Sequence, residues 1–116
     1  MARFLVLYTA PAATLDEWMK TPEEERKALE AKMKANWDAW MASHGSMIKE
    51  TAGAGSTKRV TSDGVANVRN DIMLYSFAEA ESAEVVADAF KGHPHFGIPG
   101  AAIDVMPANP LPGIGA

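Results

Sequence analysis

The chain has 116 residues, 47% apolar and 22% charged, a composition that describes one soluble globular domain, 1–116, with surface for a single core. A net charge of -4 without any basic stripe argues against nucleic acid as a partner. The absence of cysteine leaves no disulfide framework, thiol nucleophile or thiolate metal site, and fits a reducing cytoplasm. In chain order, residues 3–9 read as a first strand. Their apolar run from Phe4 to Tyr8 is shorter than the ~7–15 residues of a secretory core. No stretch reaches the ~20 apolar residues of a membrane span, so no membrane partner is expected. Pro11 closes the strand, and 12–20 form a connector with one helical turn at 15–19. Thr21-Pro22-Glu23-Glu24 carries the marks of a helix start: Thr21 as N-cap, Pro22 in the first helical position, Glu24 completing a capping box. The helix runs to His44, Gly45 ends it, and Leu29, Met33, Trp37, Trp40 and Met41 form its apolar stripe.

A second strand follows at 47–51. Within the polar, glycine-rich stretch 52–70, Asp63-Gly64 signals a hairpin turn between short arms at 58–60 and 65–68. Residues 72–78 form the next strand. Ser82 N-caps a second helix carrying Val85, Val86, Ala89 and Phe90, and Gly92 ends it. The last strand is 101–106, and 107–116 form an irregular tail rich in proline and glycine. The order predicts a ferredoxin-like α+β sandwich, βαββαβ, with an antiparallel sheet and two helices on one face.

The strands predict a second layer. Phe4, Val6 and Tyr8 oppose Leu5 and Leu7; Ile72 and Leu74 oppose Met73, Tyr75 and Phe77; Ile103 and Val105 oppose Ala102 and Met106. A sheet with one wet face alternates apolar and polar residues, whereas these strands are apolar on both sides. Two helices cover one side only. The economical cover for the other is a second copy, sheet against sheet, in a homodimer.

His93-Pro94-His95-Phe96 stands between the second helix and the last strand, where a rigid scaffold positions a short loop. Histidine exchanges protons near neutral pH, so His93 and His95 are candidate catalytic groups. Either ring could instead bind the free carbonyls that end the helix. Asp104 is the only charge in the last strand, and pairing it with a histidine would give a base and its orienting acid, or a structural ion pair. Trp37, Trp40 and Phe96 could wall an apolar cavity, Asn36 could present an amide to it, and Tyr75 could orient a ligand. At helical spacing the two tryptophans also read as core. His44 either caps its helix or turns inward beside Trp40. No cofactor is implied, and no metal site either, although a His-Pro-His pair leaves haem or metal binding as a third reading.

Four segments together resemble the YCII-related family of the dimeric α+β barrel superfamily: Phe4-Leu5-Val6-Leu7-Tyr8, the tryptophan-bearing first helix ending in Gly45, Thr57-Lys58-Arg59-Val60, and Gly92-His93-Pro94-His95-Phe96 continuing to Ile103-Asp104-Val105-Met106. The resemblance implies a sheet-to-sheet dimer and a histidine–aspartate pair in a cavity between sheet and helices. The chain departs from that pattern. His93 stands where the family's aspartate begins an Asp-Pro-aromatic motif, and no histidine lies between Thr21 and Ser43, where the family keeps its own. The leading expectation is a small-molecule enzyme using histidine acid/base chemistry on an unknown ligand. The alternative is a non-catalytic ligand-binding or assembly module.

Overall fold

The structure, a computed structural model, describes residues 1–114, so the last two residues of the expected tail lie outside it. A four-stranded antiparallel sheet is built from β1 (Ala2–Thr9), β2 (Ile48–Gly53), β5 (Ile72–Ala80) and β6 (Ala102–Pro107), in the order β2-β5-β1-β6. The first crossover carries α1 (Ala12–Met19) and α2 (Glu23–His44), and the second carries α3 (Ala83–Phe90). This is the ferredoxin-like α+β topology expected from the order of elements. Between β2 and β5, β3 (Thr57–Thr61) and β4 (Gly64–Val68) pair only with each other as a separate ribbon.

One face of the sheet is closed by the chain's own helices. Phe4, Val6, Tyr8, Ala78 and Ala80 pack with Trp40 of α2 and with Val86 and Phe90 of α3 in a single buried core. Each fully buried Val or Phe contributes about 1.5–3 kcal/mol of transfer free energy. On the opposite face Leu5, Leu7, Met73, Tyr75, Phe77 and Met106 remain half-buried. Arg3 lies over the Phe77 ring, 4.2 Å from its centroid.

Element boundaries differ from expectation for identifiable reasons. The single turn expected at 15–19 is an eight-residue helix, α1, whose amide ladder starts at the Pro11 carbonyl. The capping box does not form. Pro22 occupies the cap position, its carbonyl accepting from the Arg26 N–H at 2.9 Å, and no side chain caps α2. Residues 45–47 form a 3-10 turn that delays β2 to Ile48. Ser82 does cap α3, its hydroxyl accepting from the Val85 N–H at 3.3 Å. At the ribbon tip Thr61 pairs with Gly64, so Ser62 and Asp63 are the turn residues and Gly64, at φ +142°, already belongs to β4.

The chain is flat and open. Its radius of gyration is 16.3 Å and its extents are 52 × 44 × 20 Å. A compact domain of this length would have a radius of about 13 Å. The ribbon and the first half of α2 account for the excess, since both stand clear of the core: Leu29 is 45% exposed and Val60 75%.

Candidate functional site

The loop after α3 is shaped by Pro94. A residue before proline is pushed toward extended backbone, and His93 is extended at φ -68°, ψ 140°. Proline then opens a 3-10 turn, Pro94–Gly97. His93 is the cap of that turn, its Nδ1 accepting from the His95 N–H at 3.0 Å. The His95 Nε2 lies 2.8 Å from the carbonyl oxygen of Thr9 at the end of β1. A carbonyl only accepts, so Nε2 carries a proton here. The loop closes at Gly100. Its φ is +77°, and a Cβ there would stand 2.9 Å from Pro11 Cγ, so the position admits glycine alone.

Both histidines are buried, His93 at 2% exposure and His95 at 1%. His93 sits in a box of aromatic rings, with centroid distances of 4.3 Å to Trp37, 4.7 Å to Trp40, 5.3 Å to Phe90 and 5.6 Å to Tyr8. Its Nδ1 accepts, so the neutral ring carries its proton on Nε2, and that atom is buried without a hydrogen-bond partner. Burial first, and then the nearby His95, lower the His93 pKa to about 4. The ring is therefore a neutral donor at physiological pH. Neither histidine side chain reaches the carbonyls that end α3. A backbone bond from the His93 N–H to the Phe90 carbonyl, 3.1 Å, does that work.

Three adjacent strands contribute a hydroxyl chain beside the box. Tyr8 Oη lies 2.7 Å from Ser76 Oγ, which lies 2.6 Å from Thr51 Oγ1. Burial raises the Tyr8 pKa, with the Ser76 hydrogen bond opposing the rise. Ser76 and Thr51 were missed by sequence reasoning. The available signal was a single polar residue, Ser76, on the core-facing register of an otherwise apolar strand.

The other expected site residues scatter. Trp40 is buried, donates from Nε1 to the Ala89 carbonyl at 2.9 Å, and stacks on His44 with centroids 5.0 Å apart. The His44 ring lies inward beside Trp40 and makes no side-chain cap; its Nδ1 is buried without a partner. Asp104 is exposed and pairs in register with Leu7, on the sheet face turned away from His93. The histidine–aspartate pair considered from sequence is thus not assembled within the chain. Tyr75 also lies on that outer face, its ring against Phe77. Phe96, 46% exposed, borders a groove of about 490 Å³ at the β6 edge with Lys91, Ile103 and Asp104.

Asn36 lines a different cleft, of about 380 Å³, between α1, α2 and the histidine loop. Its apolar walls are Trp18, Leu29, Met33, Pro94, Ile98 and Pro99, and Glu30 and Lys32 also line it. Pro94 borders this cleft, whereas His93 does not line it. The sequence signal for it was an apolar stripe, Leu29 and Met33, running past the part of α2 that the sheet could cover. Among the described residues no group of three or more His, Asp or Glu side chains gathers to hold a metal ion, and no helix is long and apolar enough to cross a membrane.

No protein-family model matches the sequence, and no curated protein matches it. Among solved structures the chain is similar to 5-chloro-2-hydroxyhydroquinone dehydrochlorinase (TftG) from Burkholderia phenoliruptrix, in complex with 2,5-dihydroxybenzoquinone. The TM-score is 0.51 at 13% identity, over 91% of each chain. At this identity the likeness carries the fold and nothing finer.

Proposed function

We propose that the chain is a small-molecule enzyme of the YCII-related type, working in the cytoplasm as a homodimer on a flat, largely apolar ring compound with carbonyl or hydroxyl substituents. The observation that carries this reading is the unpartnered, buried Nε2 of His93, whose chain neighbour Pro94 lines a mostly apolar cleft. A buried donor without a partner costs about 1–3 kcal/mol, and a ligand acceptor reaching it would remove that cost. The cleft lies within the size range of small-molecule sites and has their character, mostly apolar walls with a few polar groups, the Asn36 amide and the charged Glu30 and Lys32.

In this reading the ring lies against Trp18, Met33 and Ile98, and displacement of Pro94 brings it to His93. His93 Nε2–H donates to a substrate oxygen, as a neutral imidazole does when its pKa is depressed. His95 is held by the Thr9 carbonyl in the tautomer whose Nδ1 can take a proton, a backbone acceptor serving as orienting group in place of Asp104. The half-buried outer face of the sheet is covered by a second copy. The ligand in the TftG complex belongs to the proposed chemical class, which makes it a convenient probe.

A second reading has its own observation. The box around His93 is filled by four aromatic rings, and one nitrogen of each histidine is engaged in holding the loop. A module that binds the same ligand without chemistry would look the same at the cleft. Calorimetric titration with 2,5-dihydroxybenzoquinone tests the shared part: one saturable site per chain, lost in Met33→Arg and weakened in Asn36→Ala. No saturable binding of this probe or of simple phenols would refute the cleft assignment. If binding persists in His93→Gln and the probe is released unchanged by both forms, the non-catalytic reading stands.

A further inference from the structure

The ribbon β3–β4 has no work to do within its own protomer. Every residue from 58 to 67 is exposed. Its ties to the rest of the chain are at the base: Ala54 N–H to the Met73 carbonyl at 2.9 Å continues the β2–β5 pair outward, Asn70 Nδ2 donates to Thr57 Oγ1 at 2.9 Å, and the Arg69 guanidinium meets Asp16 at 3.2 Å. Register places Val60 directly opposite Val65 and Lys58 opposite Asn67, so these four side chains share one face. The valine pair is open to solvent at 75% and 65% exposure. An isolated two-stranded ribbon is marginal in water, and an uncovered pair of β-branched residues near its tip adds no stability to it.

We propose that the ribbon is an arm that crosses the protomer boundary and lays the Val60–Val65 face on a second copy of this chain. The inference rests on the self-pairing of the outer sheet face. Reach supports it: five-residue arms span about 17 Å, and every residue from 58 to 67 is exposed, so the ribbon projects from its own chain. Charge supports the choice of occupant. The ribbon is basic, with Lys58 and Arg59 against Asp63, while the chain as a whole carries -4, including an exposed Glu23-Glu24-Glu25 run. A basic arm on an acidic copy also steers association. Clasping arms in a two-fold pair would each bury apolar area that the flat sheets alone leave open.

The natural chain contains no cysteine, so a single one can be read without background. Val60→Cys is alkylated with a benzophenone maleimide, irradiated at micromolar concentration, and compared with Glu84→Cys on the exposed side of α3. The arm predicts a covalent dimer from the first and little from the second. Alongside, Val60→Asp with Val65→Asp should weaken the dimer by about tenfold or more while far-ultraviolet circular dichroism stays unchanged. A dimeric wild type with equal cross-linking at both positions and unchanged affinity overturns the arm and leaves the sheet-to-sheet reading intact. A monomeric wild type overturns both. Cross-linking of the Val60→Cys label to added anionic vesicles, in place of a second chain, also overturns the arm.

Discussion

The two faces of one sheet differ in how they are closed. Neighbouring residues on the same strand take opposite fates: Val6 is fully buried beneath the helices, whereas Leu5 and Leu7 on either side of it stay partly open. The helix side is finished within the chain, down to a hydroxyl chain and a capped histidine turn. The outer side is equally apolar and has no layer of its own. A strand pattern records that both faces are apolar, and the helix count decides which of them the chain can close alone.

The difference can be pushed hardest on the closed side. Phe90 is 2% exposed, packs edge-on against Tyr8 and lies tilted against Trp40. Phe90→Ala should cost about 3–5 kcal/mol in urea unfolding. A cost below about 1 kcal/mol would show that the helix side is packed less tightly than its burial implies.

Acid provides the next test. A histidine in the unfolded chain titrates near 6.5, and His93 in the folded chain titrates near 4. Between these values the unfolded chain binds a proton that the folded chain does not, so stability rises with pH in this window. The His93 contribution is complete above about pH 6.5 and is lost as the pH falls toward 4. The loss amounts to roughly 3 kcal/mol. In His93→Gln the slope over that window should shrink, measured by urea midpoints at successive pH values.

The hydroxyl chain is a smaller lever. Ser76→Ala leaves the buried Tyr8 hydroxyl without its 2.7 Å partner and should cost about 1–3 kcal/mol. Combining it with Tyr8→Phe removes both partners, so the double variant should fall short of the sum of the single losses. Additive losses would mean that the two hydroxyls do not act together.

On the open side the effect on the protomer is the smallest. Leu7→Asp should cost a single chain about 1–2 kcal/mol, less than Phe90→Ala, since the side chain is half-buried and the new carboxylate stands opposite Asp104. The same substitution should abolish self-association. Equal losses for Leu7→Asp and Phe90→Ala in a chain that never associates would erase the contrast between the faces.

Most of the fold was legible because its signals are local and redundant. Continuous apolar runs located β1, β5 and β6, and Ser82 with Gly92 bounded α3, which ends at Phe90. The capping box failed where Pro22, with its fixed φ and missing N–H, took the cap position from Thr21. The site was less legible, because its bonds join residues far apart in the chain. His95 reaches Thr9 across 86 positions and Tyr8 reaches Ser76 across 68, and no spacing rule announces either. Asp104 shows the converse. Its presence in an apolar strand suggested a buried pair, yet register alone sends it to the outer face opposite Leu7.

Equilibrium sedimentation of the intact chain at micromolar concentration tests the central claim most directly, since it asks whether the outer face is left to water. The account predicts a particle of twice the 12.4 kDa chain mass. A stable particle of 12.4 kDa across that concentration range would contradict it.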